Sequence, residues 1–176
     1  MKIIIMVSGF AGSGKDTASD YIAKTFGFAK YGLADSLKDL VSAKFNLSRP
    51  RLDDQCYKKT SISNNKTVRD LLIEEATKAR AENVNVWIDK TIAKFKEDKI
   101  IISDFRYPNE YFRLIEKFEK VITVRITRDT AVPLPLESEH QLDTFKFDLY
   151  LNNNGKKKDL FLQLYQAISS ELEKLK

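Results

Sequence analysis

The sequence predicts an α/β fold in which a five-stranded parallel sheet lies between two layers of helices. Short, continuous apolar runs, typical of buried parallel strands, alternate along the chain with segments of helical periodicity. A glycine-rich turn separates the first predicted strand from the first predicted helix. This alternation favours right-handed strand–helix–strand crossovers and therefore a parallel sheet.

The first half of the chain contains two predicted strands and four predicted helices. Residues 2–8 contain an uninterrupted apolar run at positions 3–7, and Ala18, Tyr21, Ile22 and Phe26 then share one side of a helix. The polar, irregular segment 46–66 holds Pro50 and is expected to be a mobile excursion. The predicted strands here are 2–8 and 28–33, and the predicted helices are 15–26, 35–45, 68–81 and 86–95.

The second half continues the alternation up to a long closing helix. Pro108 marks the start of one helix, while Pro133 and Pro135 predict a loop over residues 128–142. The predicted strands here are 99–103, 121–127 and 147–151, and the predicted helices are 109–118 and 158–175.

Composition narrows the class of protein. The chain has 176 residues, which is enough for one domain with a buried core. Its composition, with 43% hydrophobic and 31% charged residues, is typical of a globular protein. Thirty Lys and Arg against 25 Asp and Glu give a net charge of +5. These residues are scattered, which suits an anionic small molecule at least as well as nucleic acid, so we expect no stable nucleic-acid binding.

Cysteine content and hydropathy bear on location. The single Cys56 excludes a disulfide within the chain, so we expect a reducing, cytoplasmic compartment. The opening run is interpreted as a buried strand rather than a signal peptide. No run approaches the roughly 18 apolar residues of a membrane span, and we expect no membrane partner.

The segment MVSGFAGSGKDT (residues 6–17) predicts a loop that wraps phosphate. It lies between a buried strand and a helix, the context that such a motif requires. Small residues would let successive backbone N–H groups point at phosphate oxygens, and the helix would add its positive dipole end. Lys15 supplies a mobile charge for the terminal phosphates. The ATP-binding candidates in the loop are Gly9, Ala11, Gly12, Ser13, Gly14, Lys15, Asp16 and Thr17.

The residue after the lysine departs from the usual pattern. A hydroxyl normally helps to hold Mg²⁺ at this position, but Asp16 stands here and Thr17 follows it. Magnesium accepts carboxylate oxygens, so Asp16 is predicted to be a metal ligand, and Thr17 offers a hydroxyl to the α-phosphate or the metal. This loop form points away from GTPases and motor ATPases and towards small kinases.

A second candidate anchor follows the predicted strand 99–103. Asp104 stands at the carboxyl end of that strand, where parallel sheets bind ligands, and it can hold magnesium or its waters. Arg106 would reach the same crevice and meet an anion. The structural alternative is that Asp104 only caps the next helix, and the two roles are compatible.

Six segments, in order, resemble the phage-type deoxynucleoside monophosphate kinases of the P-loop nucleoside monophosphate kinase superfamily. The resemblance covers nearly the whole chain, and some of it is shared with dephospho-coenzyme A kinases. The segments are GKDT (14–17), YGLADSLKDL (31–40), VRDLLIEEATKAR (68–80), VNVWIDK (84–90), SDFRYPNE (103–110) and FDLYLNNNG (147–155).

The resemblance implies a three-layer P-loop NTPase fold and a reaction that uses ATP and Mg²⁺ to convert a deoxynucleoside monophosphate to the diphosphate. It implies a single domain in which residues 35–97 form a helical substrate-binding region and about 128–142 form a short lid. A homodimer is left open, and so are the accepted base and sugar.

The resemblance also implies roles for individual residues. Arg69 and Arg106 resemble the arginines that clamp the monophosphate, for which a guanidinium fork is well suited. The implied catalytic residues are Lys15, Asp104, Arg106 and Arg128. The implied substrate-side residues are Lys38, Arg69, Arg80, Trp87, Arg106 and Glu110. Arg128, Asn153, Asn154 and Gly155 are implied on the ATP side.

Several of these residues have a structural alternative. Lys38 and Arg69 could be solvated charges on helices, and Trp87 is as well suited to a core as to a base pocket. The family often shows His-x-Ser-Glu before the last strand, whereas this chain has Glu139 followed by a displaced His140. A lid role for the histidine is therefore in doubt.

Three other functions stay open at this point. One is another small P-loop metabolite kinase, for example one acting on dephospho-coenzyme A. A nucleotide-binding switch or DNA-associated ATPase is less favoured, because the chain lacks an Asn-Lys-x-Asp base motif and a concentrated basic face. The third is a nucleotide-binding relic without activity, which Asp16 could suggest.

Overall fold

A computed structural model describes residues 1–63 and 66–175. Asn64 and Asn65, part of the predicted irregular segment, lie outside the described residues. The chain divides into two compact units, Met1–Gly32 with Phe95–Lys176 and Leu33–Lys94. In the described ranges, no helix is both long and apolar enough to span a bilayer.

The first unit contains a five-stranded, all-parallel sheet in the order β2-β5-β1-β6-β7, which confirms the predicted fold class. Its strands are β1 (Ile3–Ser8), β2 (Ala29–Tyr31), β5 (Lys99–Ile102), β6 (Lys120–Thr127) and β7 (Leu149–Asn152). Its helices are α1 (Lys15–Phe26), α5 (Pro108–Ile115), α6 (Glu137–His140) and α7 (Lys157–Glu173).

The core of the first unit follows from the apolar strands. All six residues of β1 are buried, as expected for a central parallel strand with helices on both faces of its sheet. Alternate β1 side chains pack with α1 and α7 on one face; this cluster includes Ile3, Ile5, Val7, Ala18, Ile22, Leu160, Leu164 and Ile168. The sheet thereby fixes the turn that follows Ser8.

The second unit is mainly helical. Its elements are α2 (Asp35–Phe45), two 3₁₀ turns (Arg49–Asp53 and Tyr57–Lys59), β3 (Ser61–Ser63), β4 (Lys66–Thr67), α3 (Val68–Glu82) and α4 (Val86–Ile92). A reciprocal capping box begins α3, because Thr67 accepts from the Asp70 N–H and Asp70 accepts from the Thr67 N–H. Its core contains Leu37, Val41, Leu52, Val68, Leu72 and Trp87.

Two segments predicted as irregular carry regular structure. The 3₁₀ turn Arg49–Asp53 has a proline in its first turn and is anchored by Leu52, whose side chain is fully buried. β3 and β4 then form a small antiparallel pair. In the segment 128–142, the short α6 forms where Glu139 is drawn into the interior.

Candidate active site

The loop between β1 and α1 has a backbone that depends on glycine. Gly14 lies at φ 97°, in the left-handed region, and a Cβ there would collide with the side-chain amide of Asn153. At Gly9 (φ 153°), a Cβ would stand 2.6 Å from the carbonyl oxygen of Ile126. The two glycines therefore let the loop pass close to β6 and to the segment after β7.

Donors lie where the loop leads into α1. The first N–H groups of α1, which begins at Lys15, have no intrahelical acceptor, and they lie at the positive end of the helix dipole. Ser13 is 1% exposed, and its Oγ has no hydrogen-bond partner among the described residues. A buried, unsatisfied hydroxyl beside helical N–H groups fits a phosphate oxygen as its partner.

Lys15 lies in a crowded electrostatic environment. Burial, followed by the positive charge of Arg106, holds the pKa of Lys15 below its ordinary value. The negative charges of Asp16, Glu139 and Asp104 act in the opposite direction. The structure therefore brings together Lys15, Asp104 and Arg106, three residues that were predicted to share the site.

The donor set at this loop fits magnesium bound with nucleotide. Asp16 is exposed at the first turn of α1, and Thr17 is half-buried beside it. Mg²⁺ is usually held through one or two carboxylates together with phosphate oxygens and water. Asp16, Asp104 and the Thr17 hydroxyl would hold it here. Across residues 1–63 and 66–175, no group of three or more His, Cys, Asp or Glu side chains converges as a self-contained metal site.

Arg106 is held from two sides. Its Nη1 donates to Oε1 of Glu139 at 2.7 Å and to Oγ of Ser138 at 3.4 Å. Its backbone N–H donates to Oε2 of Glu110 at 2.9 Å. In the described ranges, the side-chain hydrogen bonds of Arg106 all involve Nη1, so the other edge of the guanidinium is available for an anion.

Glu110 has a structural task in this arrangement. It is 5% exposed, and the same Oε2 also accepts the Tyr107 N–H at 3.0 Å, which caps the start of α5. The cap fixes the chain directly after Asp104. The predicted contact of Glu110 with substrate stays a prediction.

The segment after β7 supports the phosphate loop. Asn153 Nδ2 donates to the Ser13 carbonyl at 2.8 Å, and the Asn153 N–H donates to the Thr127 carbonyl at 2.8 Å. Asn154 Oδ1 accepts the Asp129 N–H at 2.8 Å. Asn153 and Asn154 thus connect the loop to the end of β6. Arg128 is exposed at that end, and its predicted contact with ATP stays a prediction, as does that of Gly155.

Two site residues were not assigned from the sequence. Glu139 is 4% exposed, and its Oε2 accepts the Ala11 N–H of the phosphate loop at 3.0 Å. Arg125, in mid-strand, donates to Ser8 Oγ at 3.1 Å and lies 4.7 Å from the centroid of the Phe10 ring. Burial lowers the pKa of Arg125. For Arg125, the signal in the sequence was an arginine within an apolar strand. For Glu139, no spacing in the sequence indicated that the side chain is buried.

His140 lies beside Phe10 of the phosphate loop, with the two ring centroids 6.2 Å apart. It is exposed, and its Nδ1 pairs with Asp143 Oδ2 at 2.8 Å. The doubt raised by its displaced position in the sequence therefore persists.

The remaining predicted substrate residues belong to the second unit. Lys38 Nζ pairs with Asp53 at 2.7 Å and with Asp35 at 3.1 Å. Arg49 contacts the same two aspartates and also Asp39, whose pKa it lowers through a hydrogen bond. Lys38 is therefore part of an ion-pair network, and its substrate role stays a prediction.

Arg69, Arg80 and Trp87 also lie in this unit. Arg69 Nη2 donates to Gln55 Oε1 at 2.9 Å. Arg80 lies in the last turn of α3, where a cation complements the helix dipole. Trp87 is 6% exposed within the core, which agrees with the structural alternative, and a base-pocket role stays a prediction.

Comparison of the sequence with protein families gives one match. A model of the deoxynucleotide monophosphate kinase family matches residues 2–67, the segment from β1 to β4 that contains the phosphate loop. A search of curated protein sequences finds no match.

Solved structures share the fold over nearly the whole chain. A dephospho-CoA kinase from Campylobacter jejuni is similar at 16% identity and a TM-score of 0.52, over 98% of both chains. A shikimate kinase from Bacteroides thetaiotaomicron has 13% identity and a TM-score of 0.53, over 96% of this chain and 99% of that one. A gluconokinase from Sinorhizobium meliloti 1021 has 12% identity and a TM-score of 0.53, over 97% and 94%.

The five-stranded parallel sheet, with a glycine-rich loop between β1 and α1, is therefore a fold that this chain shares with solved kinases. The family match adds that the segment with the phosphate loop is similar to deoxynucleotide monophosphate kinases.

Proposed function

We propose that this kinase transfers a phosphoryl group from ATP, with Mg²⁺, to a nucleoside or deoxynucleoside monophosphate and releases the diphosphate. The observation that carries the proposal is the cationic pair Lys15 and Arg106 beside a loop in which the buried Ser13 Oγ has no hydrogen-bond partner among the described residues. Two cations facing the same loop suit a reaction in which two phosphate groups meet. The family match over residues 2–67 favours a deoxynucleotide acceptor.

The phosphate loop provides the donor side of the reaction. The N–H groups that open α1, together with Ser13 Oγ, would bind phosphate oxygens of ATP. Lys15 would neutralise charge on the terminal phosphates as the transferred group leaves. Bound Mg²⁺ supplies further charge neutralisation, and Asp16, Asp104 and Thr17 would hold it or its waters.

Arginines provide the acceptor side. The unengaged edge of the Arg106 guanidinium would bind oxygens of the monophosphate in the bidentate manner that this group favours. Arg69 is proposed as the second fork, from its place in the motif VRDLL. Most of the catalysis then comes from positioning and charge neutralisation, which requires no histidine.

The acceptor is the least constrained part of the proposal. The alternative is another small metabolite acceptor, such as dephospho-coenzyme A, with the same loop and the same donor chemistry. The fold is shared by kinases of several acceptors, and at 12–16% identity that likeness concerns the fold alone.

An acceptor panel tests the proposal. ADP release is measured with ATP and Mg²⁺ in a coupled spectrophotometric assay. The acceptors are the common NMPs and dNMPs and, as alternatives, dephospho-coenzyme A, shikimate and gluconate. We expect turnover with at least one monophosphate. Turnover with a non-nucleotide acceptor alone would replace the proposed acceptor, and no turnover with any acceptor would favour a nucleotide-binding switch or an inactive relic.

A further inference from the structure

We propose that Glu139 is a positioning residue, which fixes the Arg106 guanidinium to the phosphate loop. The monophosphate on Arg106 and the ATP on the loop would thereby be held at a constant distance from each other. Its two carboxylate oxygens have different partners: Oε1 accepts from Arg106 Nη1 at 2.7 Å, and Oε2 accepts from the Ala11 N–H at 3.0 Å. The proposal rests on the proposed function for the identity of the substrates, but not for the contact itself.

Burial makes this contact a fixed part of the site. The Glu139 side chain is fully buried, whereas that of Arg106 is 34% exposed. A carboxylate that leaves water needs good partners for both oxygens, and here each oxygen has one. Glu139 therefore acts as the rigid member, and Arg106 as the member that reaches solvent and substrate.

The Nε and Nη2 edge of the Arg106 guanidinium is not used by Glu139 or Ser138. Glu139 and Ser138 both take the Nη1 end, and a guanidinium carries five donors in a planar fork. Holding one end of a planar group fixes the direction of its other end. The contacts at Nη1 thereby fix the orientation of Nε and Nη2 and leave these two donors for an anion.

Charge gives a second reason for a carboxylate at this position. Arg106 lowers the pKa of Lys15, which means that the two cations repel each other, and Glu139 is among the carboxylates that oppose this shift. Its negative charge allows both cations to stay at the loop before any phosphate arrives.

Another interpretation of the same contact makes an opposite prediction. A carboxylate on a loop N–H and on Arg106 could be a stand-in for phosphate, which nucleotide has to displace. In that case, removing its charge would tighten ATP binding and leave turnover intact or faster. If Glu139 positions Arg106, the same change leaves ATP binding nearly constant and slows the reaction with the monophosphate.

The test is a double-mutant cycle of Glu139→Gln and Arg106→Ala, with Glu137→Gln as a matched control. Glu137 lies on the same short helix but is exposed and contacts Gln141. We expect Glu139→Gln to lower kcat/KM for the monophosphate roughly ten- to hundredfold, because misplacing a catalytic group by about an ångström has effects of this size. The Kd for ATP, measured by calorimetry without acceptor, should change by less than about threefold.

The cycle separates positioning from an independent effect. In the Arg106→Ala background, Glu139→Gln should lower kcat/KM by less than about twofold more, because residues that act as a unit are not additive. Additive losses would overturn the proposal, as would wild-type kinetics of Glu139→Gln or tighter ATP binding with undiminished turnover. Glu137→Gln should match the wild type.

A spectroscopic measurement keeps the inference independent of the reaction. The Arg106 Nε–H resonance, assigned by its loss in Arg106→Lys, should shift or broaden in Glu139→Gln and stay unchanged in Glu137→Gln. An unchanged resonance would overturn the positioning role. If the resonance responds but the wild type phosphorylates no monophosphate, the inference holds and the proposed function fails.

A second variant covers the risk that Glu139→Gln does not fold. Glu139→Asp keeps the charge but shortens the reach, so it can keep one of the two hydrogen bonds. We expect intermediate kinetics and an intermediate shift of the Arg106 resonance. Wild-type values for both in Glu139→Asp would contradict a role that depends on bridging.

Discussion

Charged side chains have different surroundings in the two compact units of the chain. At the phosphate loop of the first unit, Lys15 lies beside another cation, with its pKa lowered, and the Ser13 hydroxyl has no hydrogen-bond partner within residues 1–63 and 66–175. In the second unit, Lys38 and Arg49 are neutralised by aspartates at 2.7–3.1 Å. The first arrangement costs stability and is suited to an anionic ligand, whereas the second is already satisfied within the protein.

A matching motif and a favourable local environment therefore support a binding role for a residue independently of each other. Lys15 was predicted to bind the terminal phosphates and Lys38 to lie on the substrate side, but only the surroundings of Lys15 are unfavourable without a ligand.

The largest effect is expected from Lys15→Ala. The variant should fold and lose at least about 10²–10³ of the turnover, as is typical when one preorganised charge-stabilising group is removed. Circular dichroism checks the fold, and the ADP-release assay measures turnover. Lys38→Ala is the comparison in the second unit. Near-wild-type turnover of Lys15→Ala would contradict the phosphate-loop assignment.

Asp104→Asn should affect the metal rather than the nucleotide. We expect turnover to fall about ten- to hundredfold at low Mg²⁺ and to recover partly as Mg²⁺ is raised, because an amide is a weaker ligand for the ion or its waters. ATP should still bind through the loop. Titration of Mg²⁺ in both proteins is the measurement, and parallel Mg²⁺ curves would exclude Asp104 from the metal site.

The two proposed acceptor arginines test the acceptor side of the proposed reaction. Arg69→Ala and Arg106→Ala should each raise the KM for the monophosphate about ten- to hundredfold, since a lost charge-assisted pair costs about 1.5–3 kcal/mol. The KM for ATP should change far less. An additional kcat loss is expected for Arg106→Ala, because Arg106 lies near Lys15 and Asp104.

Steady-state kinetics with each substrate varied in turn provides the measurement. If the KM for ATP changes and that for the monophosphate does not, the arginines are on the wrong side of the reaction. If Arg69→Ala behaves as the wild type, its contact with Gln55 is its whole role.

Trp87→Phe distinguishes a core residue from the wall of a base pocket. Trp87 Nε1 is buried and has no acceptor in the part of the chain that the structure describes. Phenylalanine removes this unsatisfied donor at the cost of some packing, so we expect the free energy of unfolding to change by less than about 1 kcal/mol. Trp87→Ala should cost about 3–5 kcal/mol. A raised KM for the monophosphate in Trp87→Phe, with unchanged stability, would favour the base pocket.

The smallest effect concerns the stability cost of Lys15. Lys15→Met removes a desolvated charge that lies beside Arg106, so we expect a melting temperature about 1–4 °C higher at neutral pH, despite lost activity. Because the pKa of Lys15 is lowered in the folded state, its cost is fully present at neutral pH. The cost declines as the pH rises through the folded pKa towards 10.5. The gain in Lys15→Met should decline in the same range, and a lower melting temperature at neutral pH would contradict the assignment.

The five strands of the parallel sheet, most helices and the glycine-rich turn after β1 follow from local signals in the sequence. Apolar runs and helical periodicity are local signals, and the close packing of a parallel sheet reinforces them, as in β1 and α1. The loop was predictable because glycine, lysine and their spacing encode its backbone directly. Local signals were weaker at helix ends and at Arg49–Asp53, where the burial of Leu52 decided the conformation.

Only the tertiary structure decided which charges meet. Ala11 and Glu139 are 128 residues apart, and no spacing in the sequence brings the carboxylate to the loop. The capping role of Glu110, the support of Ser13 by Asn153 and the ion pairs of Lys38 were likewise not predicted. The physical reason is that a charged side chain finds its partner through the folded backbone, and burial then decides whether it is exposed, paired or left for a ligand.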